Sequence, residues 1–183
     1  MPTDTASPAP AGTSTADAPP LHGSFALGID LAAEPTGVYA AFADPELRGR
    51  WVRLPGHADE RRLDFRPGGG EWLAATFAHG ESSERIERRT SFVDLVPGRR
   101  LVFGYDVVID GRRRWASLVT VLLTARSGGT RLDWTEQYTY LAYAGDGATD
   151  VAHLRGGTRL HLNALAALVE PPRRPLAGGS VLS

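Results

Sequence analysis

Through the middle of the chain, apolar and polar residues alternate with a period of two; toward the end the period becomes that of a helix. SFALGIDL (24–31) reads as a first strand. EPTGVYAAFADPELRGRW (34–51) breaks the alternation and reads as two short helices. Pro35 lies near the start of the first, and Pro45 opens the second after an N-cap Asp44. Six more strands are predicted around 58–66, 71–78, 83–95, 99–109, 113–125 and 130–141. They are separated by Gly68-Gly69-Gly70, His79-Gly80, Pro97-Gly98, Asp110-Gly111 and Gly128-Gly129, which are turn signals at hairpin spacing. DVAHLRGGTRLHLNALAALVE (150–170) reads as one long helix. The elements predict an α+β domain over 22–171, in which an antiparallel sheet is covered by the terminal helix.

The three glycines of DFRPGGGEW (64–72) raise the question of a phosphate loop. Such a loop needs a helix just after the glycines, so that free N–H groups face the anion. Here EWLAATF follows, and its Trp, Thr and Phe favour a strand. The glycines therefore predict a hairpin turn.

Two elements place polar groups on apolar faces. On a helical wheel Val151, Leu154, Leu162, Leu165, Leu168 and Val169 form one broad stripe, and Thr158 and His161 fall inside it. His161 is either a core histidine with a backbone or hydroxyl partner, or a polar group facing a cavity. In TRLDWTEQYTY, alternation puts Leu132, Trp134, Glu136, Tyr138 and Tyr140 on one face. Glu136 thus sits among large apolar side chains, and is expected to pair with an arginine, be hydrated in a pocket, or lie near the sheet edge. Left unpaired, such a carboxylate has a raised pKa and marks a ligand-contacting or proton-handling site.

Composition narrows the remaining classes. A net charge of −1, from 20 basic and 21 acidic residues, gives no overall field for nucleic acid or acidic lipid. Every basic residue is Arg and none is Lys, a compositional bias that lowers the weight of any single arginine. The absence of Cys excludes disulfides, thiolate metal sites and cysteine nucleophiles. The five histidines include no pair at a ligand spacing of three or four, so a zinc site is not expected; no cofactor is expected either. No secretory signal and no membrane-spanning run is visible, and a cytoplasmic location is the expectation. The Pro-, Ala-, Ser- and Thr-rich residues 1–21 and the end 172–183 read as disordered tails.

The order of elements resembles the helix-grip fold of the START-like superfamily, also called SRPBCC. The nearest branch is the domain homologous to the activator of the heat-shock protein 90 ATPase. The resemblance is carried by VYAAFADPELRGRW (38–51), LDFRPGGGEW (63–72), FVDLVPGRRLVFGYD (92–106), SLVTVLLTARSGGTRLDWTEQ (117–137) and GGTRLHLNALAALV (156–169). It implies a curved seven-stranded sheet gripping the long helix, with a hydrophobic pocket between them. Relatives bind small apolar molecules, polyketide cyclases act on them, and eukaryotic relatives contact the chaperone.

The leading expectation is therefore a pocket for a small hydrophobic or aromatic molecule. Its candidate lining is Trp51, Phe65, Trp72, Phe103, Tyr105, Trp134, Glu136, Tyr138, Thr158, His161 and Leu165. An enzyme reading would use Glu136 or His161 as acid–base and Tyr105 to polarise a carbonyl. A third reading is a chaperone-linked interaction module, and a homodimer is admitted as a partner alternative; no nucleic acid or membrane contact is expected. Many relatives carry Trp after the early helix glycine, whereas here Thr158 follows Gly157. That exchange predicts a larger, more polar pocket unless Trp134 refills it. Gly156-Gly157 costs the helix about 2 kcal/mol relative to two alanines, which predicts a close backbone approach or a bend over the cavity mouth.

Overall fold

The structure is a computed structural model that describes residues 19–170; the side chains of 58, 59 and 79 are not described, and the predicted tails lie outside apart from 19–21. Leu21 already belongs to the first strand. The order is β1 (Leu21–Leu31), α1 (Pro35–Ala43), α2 (Pro45–Trp51), β2 (His57–Leu63), β3 (Gly70–His79), β4 (Ser82–Val96), β5 (Arg100–Ile109), β6 (Arg112–Arg126), β7 (Gly129–Tyr140) and α3 (Ala148–Val169). All strands pair antiparallel in one sheet of order β1-β7-β6-β5-β4-β3-β2. The two short helices carry the chain between the opposite edges, from β1 to β2. This is the helix-grip arrangement.

Local chemistry explains the corners. Asp44 ends α1 and caps α2, its Oδ1 accepting from the backbone N–H of Glu46 at 2.8 Å and Leu47 at 2.9 Å. The three glycines join β2 to β3 as a hairpin. A Cβ on Gly69 would lie 2.3 Å from the Asp64 carbonyl oxygen, and one on Gly70 would lie 2.4 Å from that of Thr90, so side chains are excluded. The hairpin between β5 and β6 turns on Asp110 and Gly111, both at positive φ.

Among the irregularities in the sheet are two that re-aim side chains. One lies on β4 between Phe92 and Asp94 and leaves Val93 exposed. In the other, Val107 and Val108 face Trp115 and Arg113, so Arg114 is the extra residue. The inner face of the sheet packs against α1, α2 and α3, with α3 also touching β1.

The interior is not uniform. One half is filled by aromatic rings in edge contact: Trp51 on Phe42 at 4.7 Å between centroids, Phe65 on Phe92 at 4.8 Å, and Phe103 on Trp134 at 5.6 Å. Leu101, Leu132 and Leu165 complete it, all fully buried. The other half, beneath the N-terminal part of α3, is hollow.

Candidate functional site

The hollow half is a cavity of about 650 Å³. Its sheet wall comes from the start of β4 (Ile86, Arg88), the end of β5 (Tyr105, Val107, Ile109), the start of β6 (Arg114, Trp115) and Trp134 and Tyr140 of β7. Asp150, His153, Leu154, Gly157, Thr158, Leu160 and His161 of α3 form the roof, and Arg53, Leu54 and Pro55 close one side. Leu160, 69% exposed, marks the mouth together with the exposed Arg53, Pro55 and His153.

Glu136 lies behind this wall, wholly enclosed. Among the described residues it has no arginine partner, contrary to the first of the arrangements expected for it. Its Oε1 accepts from the Tyr105 hydroxyl at 2.5 Å, and its Oε2 accepts from Trp134 Nε1 at 3.0 Å and Thr158 Oγ1 at 3.3 Å. Three donors from β5, β7 and α3 thus converge on one carboxylate. Burial first, and the adjoining Glu136 charge second, push the Tyr105 phenol above its ordinary pKa.

Arginine enters the interior elsewhere. Arg48 is 1% exposed, and its Nε and Nη2 donate to Glu71 Oε2 at 2.9 and 2.7 Å. Arg61 Nη1 donates to Glu71 Oε1 at 2.6 Å, and its Nη2 donates to the Val52 carbonyl. Burial by itself would raise the Glu71 carboxyl, but Arg48, Arg61 and Arg88 together hold it below its usual value. Arg88 differs from the other two. It is 8% exposed and lies 4.0 Å from the Tyr105 ring centroid. Among the described residues it makes no ion pair, and its Nε is buried without a hydrogen-bond partner.

His161 bridges helix and loop, its Nε2 standing 2.8 Å from the Arg53 carbonyl oxygen. Burial, then the Arg88 charge, push its pKa down to about 4. At neutral pH the ring is uncharged, so Nε2 carries the proton donated to Arg53 and Nδ1 is left as an acceptor.

The candidates from the sequence therefore separate. Tyr105, Trp134, Thr158 and His161 line the cavity, with Glu136 directly behind three of them. Trp51, Phe65, Phe103 and Leu165 belong to the solid half, where Trp51 Nε1 donates to the Ala41 carbonyl at 2.8 Å. Trp72 points to the other side of the sheet, under Arg62 and 3.3 Å from Glu87. Tyr138 packs against Phe25 and Tyr140 and covers Gly23.

The close approach suggested for Gly156-Gly157 is absent: a Cβ on either would meet no atom within 4 Å, and α3 runs continuously through both. Arg88 was missed, although alternation along β4 places it between Ile86 and Thr90 on the inner face. Arg114 was not legible, because the bulge that turns it inward has no mark in the sequence.

Among the described residues no cluster of His, Asp and Glu is placed to hold a metal ion. No helix there is long and apolar enough to cross a membrane.

A family model described as "Activator of Hsp90 ATPase homolog 1-like protein" matches residues 32–170. The Mll3558 protein of Rhizobium loti is 36% identical, with a TM-score of 0.70 over 82% of this chain and 99% of that one. A protein of Rhizobium leguminosarum is 27% identical, with a TM-score of 0.72 over 82% and 96%. CalU16 from Micromonospora echinospora shares the fold at 21% identity, with a TM-score of 0.55 over 81% and 76%. No curated protein matches significantly.

Proposed function

We propose a function from one premise: this chain belongs to the family of Activator of Hsp90 ATPase homolog 1-like proteins, with the SRPBCC-type fold. In our reading it binds a small, mainly apolar molecule between the sheet and the first half of α3. The observation that carries this is the cavity itself, about 650 Å³ walled largely by Ile86, Val107, Ile109, Trp115, Trp134 and Leu154. Size and composition are those of a small-molecule site, apolar with a few placed polar groups.

Holding a guest fits the chemistry better than turning it over. The oxygens of Glu136 are committed to three donors, and burial holds the proton of Tyr105 in place. His161 is the one acid–base candidate that meets the cavity with a free acceptor nitrogen. A chaperone-docking role would call on exposed apolar surface, and the large exposed apolar residues (Val93, Leu118, Leu122, Leu141 and Leu160) come from four different parts of the fold.

Native mass spectrometry of protein purified from its own host tests the proposal. A retained apolar molecule, lost from Gly157→Trp, is the expected result. The glycine lines the cavity and an added Cβ would meet nothing within 4 Å, so an indole there is expected to take the guest's space. Retention of the same molecule by the folded variant would overturn this location.

A further inference from the structure

The polar atoms left unsatisfied in the cavity wall are all of one kind. Arg88 Nε and Trp115 Nε1 are buried without partners, and both can only donate. Arg88 is also charged, and a buried guanidinium without a counterion is expensive. Its aromatic neighbour Tyr105 offers only the weaker attraction of a ring face.

The neighbouring buried carboxylates do not answer Arg88 either. Two guanidinium groups, those of Arg48 and Arg88, are buried with the carboxylates of Glu71 and Glu136, and the half-buried Arg61 adds a third beside Glu71. Glu71 is already used on both oxygens by Arg48 and Arg61. Glu136 is used on both by Tyr105, Trp134 and Thr158. Neither carboxylate is therefore paired with Arg88, whose guanidinium belongs to the cavity wall. Arg53 and Arg114 also line the cavity, with the carboxylate of Asp150 3.9 Å from Arg114.

The geometry points to a guest that is an apolar monoanion, a hydrophobic carboxylate whose acid group meets Arg88 and whose body lies against Val107, Ile109 and Leu154. This rests on reading the cavity as a binding site. It adds which chemical class the site selects. A guanidinium recognises a carboxylate through paired N–H donors, and the low dielectric of the wall strengthens that contact. A neutral guest of the same shape would leave Arg88 as it is.

The test is a calorimetric titration at neutral pH with 2-naphthoate and its uncharged counterpart 2-naphthamide. Wild-type protein is expected to bind the naphthoate about tenfold or more tightly than the amide, as a desolvated charge pair requires. Arg88→Met should bring the two ligands to within about threefold of each other by weakening the naphthoate alone, and Arg88→Lys should restore part of the preference. Equal binding of both ligands by wild type leaves the cavity reading standing and overturns the anion. A preference that survives Arg88→Met also overturns the assignment, and transfers it to Arg53 or Arg114. Failure of both ligands to bind wild-type protein removes the cavity reading, and the anion with it. The comparison of the two ligands on wild-type protein decides the matter even if a variant fails to fold.

Discussion

Glu136 organises the floor of the cavity through hydrogen bonds alone. Glu136→Ala would strand the Tyr105 hydroxyl, the Trp134 indole N–H and the Thr158 hydroxyl in a dry interior. Urea unfolding should show a loss of roughly 3 kcal/mol or more, the sum of modest penalties for several orphaned donors. Tyr105→Phe removes only one donor and should cost about 1 kcal/mol.

His161 carries a pH dependence whose sign follows from its environment. The folded protein holds its pKa at about 4, below the ordinary 6.5. Between these values the unfolded chain binds the proton and the folded one does not, so unfolding becomes more favourable as pH falls. The stabilisation from the neutral ring is therefore complete above pH 6.5 and is lost on acidification toward about 4. A series of denaturant titrations across that window should give a steeper decline for wild type than for His161→Gln. Identical slopes would contradict the buried, neutral ring.

At the scale of elements, α3 carries an avoidable cost. Gly156 is exposed and an added Cβ would touch nothing, so Gly156→Ala should raise stability by about 1 kcal/mol through helix propensity alone. In the opposite sense, Asp44→Ala removes the acceptor for two N–H groups at the head of α2, and thermal unfolding should register a loss of about 1 kcal/mol.

The same elements show what alternation can and cannot reveal. Period two placed Trp134 and Glu136 on the inner face of β7, and the helical period placed Thr158 and His161 on the inner face of α3. The same rule applied to β4 would have placed Arg88 beside them. Neither period says how far along the sheet the helix lies. Phe103 and Tyr105 are two residues apart on one face of β5, yet the first belongs to the solid half and the second to the hollow. That division depends on where α1, α2 and α3 come to rest, and so on contacts between residues remote in the chain. Trp72 was misplaced for a simpler reason: Glu71 and Leu73 take the inner positions of β3, which turns the indole outward.

Across the whole molecule, packing density should map onto energetic sensitivity. Phe103→Ala opens a void among Phe92, Trp134 and the buried leucines, and should cost roughly 3–5 kcal/mol in chemical denaturation. Ile109→Ala merely enlarges a space that already exists, so its cost should stay below about 1.5 kcal/mol, the lower end for lost apolar contact. Equal losses at both sites would mean that the two halves are not energetically distinct.

The unequal interior has an evolutionary corollary. A grip whose tightest packing resides in one set of rings leaves the apolar wall of the hollow, such as Ile86, Val107 and Ile109, freer to vary. Substitutions there can reshape the hollow while the scaffold keeps its fold. Trp134 is the exception, since it both walls the hollow and packs edge-on against Phe103.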